Sequence, residues 1–193
     1  MNHTLKRKRA DVRKLSFRVW RQHAGHTCGY CAMAALYRFH HLSSEVPDLR
    51  FRLGTDVPAL GRLGTLPHDL MRVLWEDGFT TDVHRGSWHD VKSTVTDLIE
   101  QKCPPIALAH MHGDLHWIII TCVDSRHVII ADSAVGGLLK MKHADYERCH
   151  QSLISAEPGD DDDEPRVLTY IHLARIWAKA SLVLPRLATL LTA

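Results

Sequence analysis

Apolar positions change their rhythm about halfway along this chain. From Cys28 onward the small and apolar residues Ala32, Ala35, Leu36 and Phe39 recur at helical spacing, which predicts a buried helix ending near His40 to Leu42. Residues 43 to 66 contain Pro47, Gly54, Pro58, Gly61 and Gly64 and read as irregular or short-helix structure. Thr65 and Pro67 open a second helix, with Leu70, Val73 and Leu74 on one face and Gly78 placed to end it. Phe79 to His84 alternates as a strand. Trp88 to Gln101 returns to helical spacing, with Trp88, Val91, Val95, Leu98 and Ile99 facing inward.

Between Pro105 and Met141 the period shortens. PIALAHM, LHWIIITCV, HVIIAD and LLKM are apolar, β-branched runs separated by His112-Gly113-Asp114, Asp124-Ser125-Arg126 and Val135-Gly136-Gly137, and they predict consecutive antiparallel strands. Helices first and strands second is an α+β arrangement rather than a wound parallel one.

The ends differ in composition. Residues 1 to 18 form a basic arm with Lys6, Arg7, Lys8, Arg9, Arg13, Lys14 and Arg18 opposed by Asp11 alone. A solvated arm is the plain reading, and contact with an acidic partner, nucleic acid or anionic lipid is the other. Residues 157 to 166 form an acidic, proline-bounded loop whose ligand spacing does not suit calcium. VLTYIHL reads as a strand and 174–193 as a helical extension broken near Pro185, which leaves 19–173 as one domain. No run approaches the ~18 apolar residues of a membrane span. With 24 Lys and Arg against 22 Asp and Glu, the whole-chain charge does not argue for a nucleic-acid binder. Five cysteines in a chain of 193 residues read as reduced thiols in a cytoplasmic setting, without disulfide staples.

Chemistry enters at Gln22 to Leu36, QHAGHTCGYCAMAAL, where Cys28 falls in the first turn of the predicted helix. Unpaired backbone N–H groups and the positive end of the helix dipole favour a thiolate there. A thiol nucleophile needs a base and a group to orient it. His116 opens the most apolar strand and Asp132 closes the next, so antiparallel pairing puts them side by side at one sheet edge. Cys28, His116 and Asp132 then form a Cys-His-Asp triad, and Gln22 can swing back beside the Cys28 N–H to stabilise an oxyanion.

Cys28 and Cys31 also spell C-x-x-C, a zinc half-site or redox pair. A zinc site wants a second pair, and Cys103, Cys122 and Cys149 stand singly. His110, His112 and His116 are the imidazoles a metal would use, but neither metal nor cofactor is expected. Cys31 is expected to pack in the core, as is Trp117 on the strand face opposite His116. His26, two residues from Cys28, is poorly placed to act as its base.

QHAGHTCGYCAMAAL, together with HWIIITCVDSRHVIIADSAVGG, resembles the two motifs of the C39 family of papain-like cysteine peptidases, the leader-cleaving domains of bacteriocin exporters. The resemblance spans residues 20 to 145 and implies a papain-like α+β fold with a catalytic helix on an antiparallel sheet. It implies Cys28 as nucleophile, His116 as base and acid, Asp132 as orienter and Gln22 as oxyanion donor. Thr27 stands where the family usually has an acidic residue and Ser133 where it has proline; neither change removes a catalytic atom. The chain is expected to be a standalone domain acting on a peptide or protein. The alternatives are a deamidase or transglutaminase on the same fold, and an inactive peptide-binding module.

Overall fold

A helix that is apolar on nearly every side must be enclosed, and the helix bearing Cys28 has structure on several sides of it. The computed structural model describes residues 14–42, 49–57 and 62–158. After a 3-10 turn at Gly25–Thr27 come α1 (Cys28–Phe39), α2 (Leu49–Arg52) and the short strands β1 (Asp56–Val57) and β2 (Arg62–Leu63). There follow α3 (Pro67–Glu76), β3 (Phe79–His84), α4 (Trp88–Glu100), β4 (Ile106–Met111), β5 (Asp114–Val123) and β6 (His127–Asp132). β7 (Gly137–Lys142), α5 (His143–Cys149) and β8 (His150–Pro158) complete the described chain.

The six long strands form one antiparallel sheet in the order β3-β8-β4-β5-β6-β7, so the fold is α+β. One core joins α4 and α5 to the sheet through Trp88, Val95, Ile99, Ile118, Ile130 and Tyr146. On α1, Cys31, Ala32 and Ala35 share a crevice with Trp117 and Ile119 of β5 and Ala131 of β6. Small residues on that helix face allow the close approach, while Met33, Leu36 and Tyr37 are buried elsewhere around it.

Two features were not visible in the hydrophobic pattern. α5 and β8 occupy residues for which no element was expected, and β8 inserts between β3 and β4. Its path takes in Glu157 and Pro158, the first two residues of the expected acidic loop, which pair with Thr80 and Phe79. In the basic arm, Leu15 donates its amide to the Thr121 carbonyl at 3.0 Å and Phe17 stacks on Phe39, so the chain already lies against the domain there. The arm before residue 14, the loop beyond Pro158, the expected strand at 167–173 and the helix at 174–193 lie outside the described residues. No helix among the described residues is long and apolar enough to cross a membrane.

The segment read as irregular holds α1 from the side. Thr65 hydrogen-bonds to Thr55 through their hydroxyls at 2.8 Å and accepts the Trp117 indole N–H on its carbonyl at 2.8 Å. Gly29 fits against it because a Cβ there would lie 2.4 Å from Thr65 Cβ. Gly29→Ala is therefore expected to destabilise the fold by about 1–3 kcal/mol despite alanine's better helix propensity. Urea unfolding checks this, and an unchanged midpoint would show that Thr65 yields freely.

Candidate active site

Cys28 is the first residue of α1. Thr27 turns its hydroxyl back to the Ala24 carbonyl at 2.8 Å, makes no side-chain cap, and no acidic residue lies in the first helical turn. The positive end of α1 is thus left without a carboxylate from its own first turn.

His116 is held by the way two strands separate. Residues 114–119 of β5 pair with β4, whereas β5 meets β6 only from Ile119 onward, opposite Ala131. Beyond that point the β6 side of β5 carries side-chain contacts instead of a ladder. His116 Nε2 meets Asp132 Oδ1 there at 2.8 Å. The same ring lies close enough to the Cys28 side chain for the thiol to favour its protonated form. With Nε2 committed to Asp132, Nδ1 is the nitrogen left for sulfur. The structure thus brings together Cys28, His116 and Asp132 from three elements.

Asp132 is wholly buried and has three donors. Ala134 N–H reaches Oδ1 at 2.8 Å, and His112 Nε2 reaches Oδ2 at 2.8 Å. Burial disfavours the carboxylate, but the bonds from His116, His112 and Ala134 outweigh it and hold the group at about 2. Burial likewise disfavours the His116 imidazolium, and Asp132 and Cys28 outweigh it, pushing the ring up to about 9. Cys31 differs: burial first and the neighbouring Cys28 charge second push its thiol up to about 11, which suits a packed thiol.

Gln22 has its amide engaged on both sides. Its Nε2 donates to Gly25 O at 3.2 Å within its own loop. Its Oε1 accepts from Ser133 Oγ at 2.7 Å and its backbone N–H donates to Ser133 O at 2.9 Å. Because Gly25 O only accepts and Ser133 Oγ has a proton to give, these contacts fix which way the amide faces. Sequence reasoning missed Ser133 as a partner of Gln22, since residues 111 apart carry no mutual spacing signal. It noted His112 as a turn residue and as an imidazole a metal could use. The donor atoms of His112, His116 and Asp132 do lie within 4.8 Å of one another, but both Nε2 atoms are engaged with the carboxylate. His110 is exposed, Trp117 is core, and all five cysteines carry reduced thiols rather than disulfides.

These groups make folding stability depend on pH in two windows. The raised His116 value contributes stability that is complete below its ordinary 6.5 and is lost as pH rises through about 9. The lowered Asp132 value contributes stability that is complete above 3.8 and is lost as pH falls through about 2. The urea midpoint is expected to fall between pH 6.5 and 9, and that fall should shrink in Asp132→Asn. Equal slopes in the two proteins would separate His116 from the effect.

Comparison with known proteins follows the same lines. Two solved structures share the fold at a TM-score of 0.61. One is a double-glycine-motif protease from an AMS/PCAT transporter in complex with the leader peptide, 16% identical and covering 75% of this chain and 94% of that one. The other is the peptidase domain of Streptococcus ComA, a bifunctional ABC transporter of a quorum-sensing pathway, 14% identical and covering 74% of this chain and 99% of that one. No curated protein sequence matches significantly. The sequence pattern of the Peptidase C39 family matches residues 16–159, which takes in Gln22, Cys28, His116 and Asp132 together with the whole six-stranded sheet. By that match and that fold, the chain belongs to the peptidase C39 family.

Proposed function

We propose that this chain is a cysteine peptidase that cleaves a peptide or protein through an acyl-enzyme on Cys28. The observation that carries the reading is the line from Asp132 Oδ1 through the His116 ring to the thiol at the start of α1. An imidazole held protonated up to about pH 9 is the partner that a neighbouring thiolate needs at neutral pH. A peptide is the substrate class because the family is one of peptidases and a structural neighbour holds a leader peptide. The reduced thiols suit the cytoplasm, a reducing compartment.

In the proposed reaction the Cys28 thiolate attacks the scissile carbonyl carbon, and the carbonyl electron pair moves to oxygen. The Cys28 backbone N–H receives that oxyanion together with Gln22 Nε2, whose second N–H is not the one given to Gly25 O. Collapse breaks the carbon–nitrogen bond; the departing amine takes the His116 proton and a thioester remains. His116 then takes a proton from water as the water attacks the thioester, and collapse releases the acid and restores the Cys28 thiolate beside a protonated His116. Asp132 keeps the ring oriented throughout.

Incubation with a peptide mixture, read by product mass, tests the proposal. Cut chains are expected with the wild type and none above background with Cys28→Ala. An amide-to-acid mass change without cleavage would instead indicate a deamidase. The pH profile of kcat/KM should carry an alkaline limb near 9, and Asp132→Asn should move that limb downward because the carboxylate is what holds the proton on His116. Gln22→Ala should lower kcat roughly 10²-fold with little change in KM. Cleavage that survives Cys28→Ala would sink the whole reading.

A further inference from the structure

Asp132 is shared by two histidines, and the proposed relay uses one of them. His112 sits in the two-residue turn between β4 and β5, where Met111 pairs with Asp114. Both turn residues have positive φ, His112 at 55° and Gly113 at 87°, as a type I′ hairpin requires. Asparagine or glycine fits the first position of that turn better than a bulkier residue. The histidine found there reaches back to Asp132 Oδ2 at 2.8 Å and stands edge-on to His116, with ring centroids 5.2 Å apart at 89°. Its side chain is 41% exposed, while Asp132 and His116 are at 0% and 5%.

A carboxylate has two oxygens and can rotate between them. Oδ1 is held by His116 and the Ala134 N–H. Were His112 absent, Oδ2 would lose its side-chain donor, and a carboxylate oxygen without a fixed donor lets the group turn toward another arrangement. We propose that His112 is a positioning residue: its Nε2–H anchors Oδ2 so that Oδ1 stays aimed at His116 Nε2, and through His116 it sustains the reactivity of Cys28. This inference rests on the peptidase reading above. His112 touches no reacting atom; it acts through Asp132. The Nε2 contact also sets its tautomer, with the proton on Nε2 and Nδ1 turned away from the carboxylate.

The turn itself supplies the test. His112→Asn suits the backbone better than the native residue but is too short to keep the Nε2 contact. His112→Gln places an amide N–H near the native Nε2 position and restores a donor. Iodoacetamide alkylation of Cys28 in the full chain, followed by peptide mass mapping to separate it from the other thiols, reads the effect without a known substrate. His112→Asn is expected to slow alkylation of Cys28 near neutral pH roughly tenfold. His112→Gln should recover most of the wild-type rate. A purely structural histidine would give the opposite pairing, with the Asn variant as reactive as wild type, and that result overturns the proposal. Should wild type and His116→Ala alkylate alike, with the profile of an ordinary thiol, the peptidase reading falls and this inference with it.

Discussion

A carboxylate with no access to water is the constraint around which this domain is arranged. An ionised group in such a place is tolerated only where charge-assisted hydrogen bonds replace its hydration. Asp132 finds three, and each comes from a different piece of backbone: β5 through His116, the β4–β5 turn through His112, and its own turn through Ala134. Satisfying one side chain thus draws three segments to one sheet edge. The same bonds that make its burial tolerable orient an imidazole towards Cys28.

The other half of the site depends on steric fit more than on charge. α1 carries small residues where it meets β5 and β6, and Gly29 where it meets Thr65. Thr65 is tied to Thr55 and, through Trp117, to the strand that bears His116. A segment poor in regular structure therefore helps to set the distance between nucleophile helix and histidine strand. Ser133 performs a similar service at Gln22, binding both its backbone and its side chain from the residue next to Asp132.

Much of this was legible in one dimension. Helices over Cys28–Phe39, Pro67–Glu76 and Trp88–Glu100 follow apolar spacings of three and four, and four strands follow β-branched runs between turn residues. His116 and Asp132 could be placed together because antiparallel hairpin neighbours obey a simple pairing rule. β8 was not legible: HQSLISAEP mixes polar and apolar residues, and its place between β3 and β4 comes from long-range pairing that local pattern does not encode. Gln22 was legible as a residue near the thiol but not in its orientation, since Ser133 and Gly25 decide where its amide points.

By itself, then, the sequence determined the elements, the α+β class and the identities of a thiol, an imidazole and a carboxylate able to meet. Those depend on local periodicity and hairpin geometry, which a few consecutive residues specify. Only the tertiary structure decided what surrounds the carboxylate: that Asp132 is fully buried, that its second oxygen belongs to His112, and that Ser133 holds Gln22. Hydrogen-bond partners of a buried group are chosen by which segments reach it in three dimensions, and spacing along the chain carries no record of that choice.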